Sequence, residues 1–489
     1  MANETLDQPP AAAIDATDTP ELLRRTAELA AAYQATIPDR RVGLAPGVTG
    51  DSLRAVLDGP LPQAGTEAWT VIRELAAGVE PGLVTMNSPR YHGFVIGGAV
   101  PAAIAADWLT SVWDQNAAMM LATPGAAVVE EIAARWLVEL LGFTPETTVG
   151  FTSGATMSNF TGLAAGRHAV LRRAGWDVEE DGLIGAPPIR VIAGADLHAS
   201  LQEALRYVGF GRRRAERMPT DDEGRMDVAV LAEALAGRTE PTIVCAQLGE
   251  VNTGGLDQID RVADAVAAHP NAWLHVDGAF GLWAAASPRL RHLVAGHDRA
   301  DSVATDAHKW LNVPYDSGFV FVRDGAAHRA AMGATAAYLP PAPGQQREPF
   351  EYVPEMSRRG RGFVVYAALR QLGAAGVAEM VERDCAMASR IARGLAADPG
   401  VRLRNEVVLN QVLFDVDGDA EVTRDVIARV QADGTAWLGG TTFHGTVAVR
   451  VSVSNWDTRE DDADRTVAAI RSAIDGARAA RRSTGDGAG

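Results

Sequence analysis

From about residue 148 to 325, short apolar runs alternate with helical stretches, and this alternation restricts the fold more than any other feature of the chain. TVGFTSG, RVIAGAD, TIVCAQLG, AWLHVDGA, SVATDA and SGFVFVRD read as strands bounded by turn residues. LQEALRYVG and QIDRVADAVAAH lie between them and carry helical periodicity. Strands separated by helices pair in parallel, and helices cover both faces of such a sheet. The expected class is α/β with a mainly parallel central sheet. Ligands bind outside the carboxyl ends of its strands, so the residues that follow each strand become the candidates for chemistry.

The flanks differ from this centre. A chain of 489 residues is expected to hold two to four structural units, at about 150 residues each. Residues 19–85 show helical spacing (Leu22, Leu23, Leu29, then Leu53, Val56, Leu57) and no strand pattern. Such a segment cannot bury its apolar face alone, so it is expected to pack on another surface, such as a second subunit. Residues 126–142 read as an amphipathic helix that Gly142 stops. The large domain is expected over 86–362. Its last part, 326–362, holds Pro340, Pro341, Pro343, Pro349 and Pro354, is long for an idle loop, and reads as a functional lid. Residues 363–480 read as a smaller α/β unit, with the strands VVLNQVLFDV and AVRVSVSN and a final helix to about 480. Residues 1–18 and 481–489 read as flexible tails.

Charge narrows the class of partner. Asp and Glu total 62 against 45 Lys and Arg, a net charge of −17. Such a surface repels nucleic-acid backbones and anionic lipid. The N-terminus has no basic and apolar secretory pattern, and the uncharged apolar run Gly93–Ala106 is too short for a membrane span. Two cysteines make neither a disulfide framework nor a tetracysteine zinc site. No metal site is expected, and the count fits a reducing cytoplasm.

Lys309 is the only lysine among the 45 basic residues. Codon bias accounts for the scarcity of lysine but not for the position of the exception, in His308-Lys309-Trp310. Guanidinium stays protonated, whereas an amine can lose its proton and form a Schiff base. Three other motifs follow strands. Thr152-Ser153-Gly154-Ala155-Thr156 opens a helix with small residues, as a phosphate cradle would, and as an N-capped helix would also do. In His275-Val276-Asp277-Gly278-Ala279 the Asp stands where it would hold a positive charge, or be a solvated turn residue. In Asp196-Leu197-His198 the imidazole is placed to lie on an aromatic ligand, or to be structural. A phosphate cradle, an anion, an imidazole and an amine together are what pyridoxal 5'-phosphate requires.

From about residue 80 to 470 the chain resembles the group II pyridoxal-phosphate-dependent amino-acid decarboxylases, the aromatic-amino-acid and glutamate decarboxylase superfamily. The resemblance implies a fold-type-I, aspartate-aminotransferase-like architecture and a homodimer with shared active sites. DAHKW then places the Schiff base at Lys309 and a phosphate contact at His308. HVDGA places the partner of the pyridinium nitrogen at Asp277 and a methyl against the ring at Ala279. LHASLQEALRYVG makes His198 the stacking imidazole, and SGATMSN makes Gly154, Ala155 and Thr156 the phosphate cradle. LGEVNTGGLD implies contacts from Asn252 and Thr253. SPRYHGFVIGG points to His92 and Phe94 for the substrate side chain. Tyr338 falls where such enzymes carry a loop tyrosine that assists protonation. Arg450 is a candidate for the substrate carboxylate or for a structural ion pair, and Ser357-Arg358-Arg359 matches a family segment without an assigned role.

Three departures bear on substrate. Asp306 stands near the phosphate where relatives often carry Asn, Glu250 is an unusual charge, and GFVIGG is less aromatic than its counterparts. The expected reaction is decarboxylation of an L-amino acid to its amine, with an aromatic or bulky side chain near Phe94, His92 and Trp113. Aminotransfer or aldehyde-forming oxidative deamination is the alternative on the same cofactor. Aldehyde-forming relatives tend to alter the stacking histidine or the loop tyrosine, and both His198 and Tyr338 are present. A non-catalytic binding protein on an inherited fold is the third reading.

Overall fold

The structure, a computed structural model, describes residues 18–334 and 347–485. Tyr338 and residues 335–346 of the expected lid, residues 1–17 and residues 486–489 lie outside the described residues. The described chain begins with helices α1 (Thr19–Thr36), α2 (Gly50–Leu57) and α3 (Ala68–Val79). The Thr49 hydroxyl accepts the Ser52 N–H at the start of α2, and the Glu67 carboxylate accepts the Trp69 and Thr70 N–H groups at the start of α3. Among the residues of these helices only Gly78 is buried, and Leu23, Val56, Val71 and Leu75 stay exposed. Helices α4 (Pro101–Trp113) and α5 (Pro124–Leu141) each begin with proline, whose missing N–H costs nothing there. Gly142, at φ 75°, ends α5.

Each apolar run of the central region forms a strand. In chain order come β1 (Thr148–Thr152), α6 (Ala155–Arg173), α7 (Val178–Asp181), β2 (Arg190–Gly194), α8 (Ala199–Tyr207) and β3 (Glu216–Met218). There follow α9 (Val228–Leu235), β4 (Thr242–Gln247), α10 (Ile259–Ala267), β5 (Ala272–Asp277), β6 (Ser302–Asp306), β7 (Gly318–Val322) and α11 (Gly325–Met332). They build a seven-stranded sheet in the order β1-β7-β6-β5-β4-β2-β3. Only β7 runs against its neighbours, β1 and β6, and the other pairs are parallel. Every residue of β4, β5, β6 and β7 is buried, as a sheet covered on both faces requires. The edge strand β3 was not expected, because Glu-Arg-Met has no apolar run to read.

The C-terminal part follows α12 (Arg361–Ala396), which kinks at Gly373 (φ 63°). It contains β8 (Val401–Leu403), β9 (Gln411–Val416), α13 (Ala420–Asp433), β10 (Gly439–Phe443), β11 (Thr446–Ser452) and α14 (Glu460–Gly485). Four strands pair antiparallel in the order β10-β11-β9-β8. Helix α14 passes the expected end at 480 and stays helical to Gly485, so the tail expected from 481 begins as helix. Arg478 binds Asp398 at 2.8 Å and Asp417 at 2.7 Å, and Arg481 binds Glu421 at 2.6 Å, which places cations near the helix's negative end. Among the described residues one helix, α12, is long and apolar enough to cross a membrane. It packs against α4, α5 and α14 and buries Val364, Val365, Val377 and Val381 in the core.

His328 on α11 is buried, and burial lowers its pKa to about 3. Its ring bonds Thr148 Oγ1 at 2.8 Å and the Tyr352 carbonyl at 3.0 Å. An unfolded histidine titrates near 6.5, so below that pH the unfolded chain takes a proton that the folded one refuses. The stability that the neutral ring gives above pH ~6.5 is therefore lost as pH falls. His328→Gln should gain on the wild type by about 1.4 kcal/mol per pH unit below that value. Urea unfolding of both proteins at several pH values below neutrality measures this, and a constant difference would mean that the folded ring titrates as an unfolded one does.

Candidate active site

The carboxyl ends of β1, β2, β5 and β6 meet on one side of the sheet. After β1 the chain turns into α6 at Gly154, whose φ of 152° suits glycine. A Cβ at Gly154 would stand 3.0 Å from His308 Cε1 and 3.2 Å from Asp306 Oδ1. A Cβ at Gly318, on the neighbouring strand, would meet the Gly154 backbone at 2.6 Å. The turn therefore has no room for a side chain of its own at Gly154, and the His308 ring and the Asp306 carboxylate pack against it. Ala155 is buried, and Ser153 and Thr156 are half-buried. Arg358 braces the strand that enters the turn: its guanidinium lies 2.8 Å from Glu130 and donates to the Phe151 carbonyl at 2.8 Å. That gives the Ser357-Arg358-Arg359 segment a structural role, and Arg359 binds Asp107 at 2.7 Å.

β6 delivers the amine. Asp306 ends the strand, and Lys309 follows in a turn anchored by Trp310, whose indole donates to the buried Asp384 at 2.8 Å. Lys309 Nζ lies 2.9 Å from Asp306 Oδ2, with its side chain 17% exposed. His308 Nδ1 accepts the Ser317 N–H at 3.1 Å, and its ring stacks on Tyr315 at 4.2 Å. Burial lowers the pKa of His308, with Asp306 opposing. Asn312 ties the neighbourhood together, accepting the Gly98 and Trp456 N–H groups at 2.6 and 3.0 Å and donating to the Ser454 carbonyl at 2.9 Å.

β5 delivers the anion. Asp277 is 5% exposed. Its Oδ1 accepts the Ala279 N–H at 3.1 Å, and its Oδ2 accepts Asn159 Nδ2 at 2.9 Å. Behind it runs a directed chain. Trp273 Nε1 donates to Ser302 Oγ at 2.8 Å, Ser302 Oγ lies 2.8 Å from His275 Nδ1, and His275 Nε2 lies 2.9 Å from Asn159 Oδ1. An indole only donates and a carboxylate only accepts, so the bonds of the chain point toward Asp277. Burial lowers the pKa of His275 to about 3, which keeps that ring neutral.

His198 caps α8, with Nδ1 accepting the Ser200 N–H at 3.2 Å and lying 2.7 Å from Ser200 Oγ. Burial lowers its pKa; Lys309 and Arg450 push the same way, and Asp277 and Asp306 oppose. All four charges therefore act on this one ring. Arg450, on β11, donates to the Val251 carbonyl at 3.3 Å, and burial works against its charge while Glu250 supports it. The charge of Arg450 also reaches Tyr91, which stacks on Trp437 at 5.0 Å, and Phe94 tilts onto the same indole at 5.6 Å. The Tyr91 hydroxyl is buried without a hydrogen-bond partner among the described residues. Phe94 is exposed, Trp113 is half exposed and meets Phe363 edge-on at 5.0 Å, and Ala279 is half-buried.

Two of the expected contact residues, His92 and Thr253, have hydrogen-bond partners within the fold. His92 is 1% exposed, with Nε2 on Thr466 Oγ1 at 3.0 Å and Nδ1 buried without a hydrogen-bond partner among the described residues. Thr253 is fully buried, and its hydroxyl donates to the Glu223 carbonyl at 2.7 Å and accepts the Gly255 N–H at 3.0 Å. It staples its own turn. Asn252 is half-buried, and its side chain donates to Glu250 at 2.8 Å. Glu250, raised above the usual carboxylate range by burial, organises that loop by accepting the N–H groups of Asn252 and Thr253. Sequence reasoning missed Asn159, Tyr91, Tyr315 and Asn312. Asn159 is the last residue of the SGATMSN motif, so only its partners were hidden.

Pyridoxal 5'-phosphate needs an accessible primary amine, an anion for its ring nitrogen, a flat group for its face and a backbone seat for its phosphate. Lys309, the oriented Asp277, His198 and the helix N-terminus at Gly154 fit each need. The family model of the pyridoxal-dependent decarboxylase conserved domain matches residues 51–417. Tryptophan decarboxylase 1 of Oryza sativa subsp. japonica is 28% identical over 480 residues, covering 90% of this chain and 91% of that protein. The 4-hydroxyphenylacetaldehyde synthase of Rhodiola rosea is 24% identical over 457 residues, covering 88% and 90%. The crystal structure of Oryza sativa TDC with PLP and tryptamine superposes with a TM-score of 0.86 at 25% identity, covering 95% of this chain and 99% of that one. The cofactor is pyridoxal 5'-phosphate, and the chain belongs to the pyridoxal-dependent amino-acid decarboxylase family.

Proposed function

We propose that the chain converts an L-amino acid to its amine and carbon dioxide, with Lys309 as the attachment point of the cofactor. The observation that carries this is the convergence of the only ε-amine, the Asp277 carboxylate and the His198 imidazole near the first turn of α6. Bound pyridoxal phosphate supplies an electron sink for the pair left behind when carbon dioxide departs. The chain's own groups do the rest. Lys309 Nζ, held by Asp306, is the nucleophile toward the aldehyde. Asp277 holds a proton on the ring nitrogen, its orientation set by the Ala279 N–H and Asn159. Gly154, Ala155 and Thr156 offer the phosphate a helix N-terminus, with His308 beside it. His198 offers a flat face, Ala279 a methyl group and Asn252 a polar edge. Arg450 pairs with the substrate carboxylate, and Tyr338 returns the proton to the α-carbon, the role that the family resemblance gives it.

The aromatic group of Tyr91, Phe94 and Trp437, within reach of the Arg450 charge, supports an aromatic or bulky substrate. The similarity to tryptophan decarboxylase 1 supports the same reading. The Rhodiola rosea relative is an aldehyde synthase by name, which keeps the aldehyde-forming reaction as the second reading. The presence of both His198 and Tyr338 supports the amine. The apolar residues left exposed on α1, α2 and α3 support a homodimer, with a second copy of the chain covering them.

Assays of all twenty amino acids on cofactor-loaded enzyme, reading carbon dioxide, amine, aldehyde and keto acid together, test this. Equal yields of amine and carbon dioxide from an aromatic amino acid are expected. Aldehyde in place of amine would establish the second reading, and keto acid without carbon dioxide would establish aminotransfer. No product from any amino acid would leave a binding protein.

A further inference from the structure

Asp306 is 3% exposed and touches both the cradle and the amine. Its Oδ1 accepts the Ala155 N–H at 2.5 Å and lies 3.4 Å from His308 Nε2, and its Oδ2 lies 2.9 Å from Lys309 Nζ. Ala155 is the first residue of α6, a helix of 19 residues, so its N–H is one of the donors that the helix leaves unpaired. The positive end of the helix therefore already faces a carboxylate. A phosphate monoester in this cradle seeks the same N–H and the same positive field. Two anions at one helix end repel, most strongly where water is excluded.

We infer that Asp306 is a positioning residue that competes with the cofactor phosphate for the N-terminus of α6. When phosphate takes the Ala155 N–H, the carboxylate is left to Lys309 and His308 alone. Asp306 thus weakens phosphate binding while it fixes the amine. The inference rests on the reading of Lys309 as the attachment point, and it concerns the phosphate alone.

The test compares two aldehydes that differ only in the phosphate. Binding of pyridoxal phosphate and of pyridoxal to wild-type and Asp306→Asn apoprotein is read from absorbance and tryptophan fluorescence. Asn is isosteric and neutral. Any change at the amine reaches both aldehydes equally, so the ratio of the two affinities isolates the phosphate. Preference for pyridoxal phosphate over pyridoxal should rise about tenfold in the variant, or about 1.4 kcal/mol. An unchanged or smaller preference would overturn the inference. Asp306→Ser removes the same charge and carries the comparison if Asp306→Asn does not fold. Failure of the parent reading looks different: wild-type protein reduced with borohydride after loading would then carry no adduct on Lys309.

Discussion

Lys309→Ala is expected to lower decarboxylation by about a thousandfold or more, about 4 kcal/mol of barrier. The variant has no ε-amine left anywhere in the chain, so no neighbouring lysine can substitute for it. The truncation also strips Asp306 of its ion pair at 2.9 Å, and a stability loss alone would imitate a catalytic one. Lys309→Arg separates the two effects. Guanidinium keeps the charge beside Asp306 but does not lose its proton, so it cannot act as a nucleophile. The Arg variant should therefore keep near wild-type thermal stability and be as inactive as the Ala variant. An Arg variant with substantial turnover would make Lys309 a structural cation.

Asp277→Asn is expected to lower turnover by about a thousandfold, again about 4 kcal/mol, while the cofactor still attaches at Lys309. The reason lies in the direction of the hydrogen-bond chain. Trp273, Ser302, His275 and Asn159 are arranged so that Asn159 Nδ2 donates to Asp277 Oδ2. The carboxylate ends the chain as its acceptor, and in the proposed reaction it would be the partner of the cofactor's ring nitrogen. An amide at 277 removes that charge and either sets a second NH2 group against Asn159 or turns one to the ring nitrogen. Either way the ring nitrogen loses the anion that holds its proton. The diagnostic is a split readout: reducible cofactor attachment near wild type, with turnover lost. A variant within tenfold of wild-type turnover would move the electron-sink role away from Asp277.

The central sheet was legible because period and position agreed over its length. Every apolar run from TVGFT to GFVFV became a strand, and alternation with helices announced parallel pairing, which holds for all but β7. β7 follows β6 with no intervening helix, and the short connection returns it antiparallel. β3, β8 and β10 escaped because three-residue strands and a Gly-Gly start carry no readable period. In the site, the residues that follow strands could be found by position: Gly154 after β1, His198 after β2, Asp277 at the end of β5, and Lys309 after β6. What hid was pairing across long sequence separation. Asn159 and His275 meet 116 positions apart, and His92 and Thr466 meet 374 positions apart. A histidine's direction depends on such partners, and the motif around His92 does not show that Thr466 meets its ring. Asp306 was legible as a departure near the phosphate, but not the N–H, the amine and the imidazole that surround it in the fold.

The most direct test of the central claim is borohydride reduction of the cofactor-loaded protein, followed by tryptic peptide mapping. Trypsin cuts after Arg299, Lys309 and Arg323. A cofactor fixed to Lys309 should block the middle cut and leave Ala300–Arg323 as one peptide carrying the reduced adduct. Separate, unmodified peptides ending at Lys309 and Arg323, from protein supplied with excess pyridoxal phosphate, would contradict the claim.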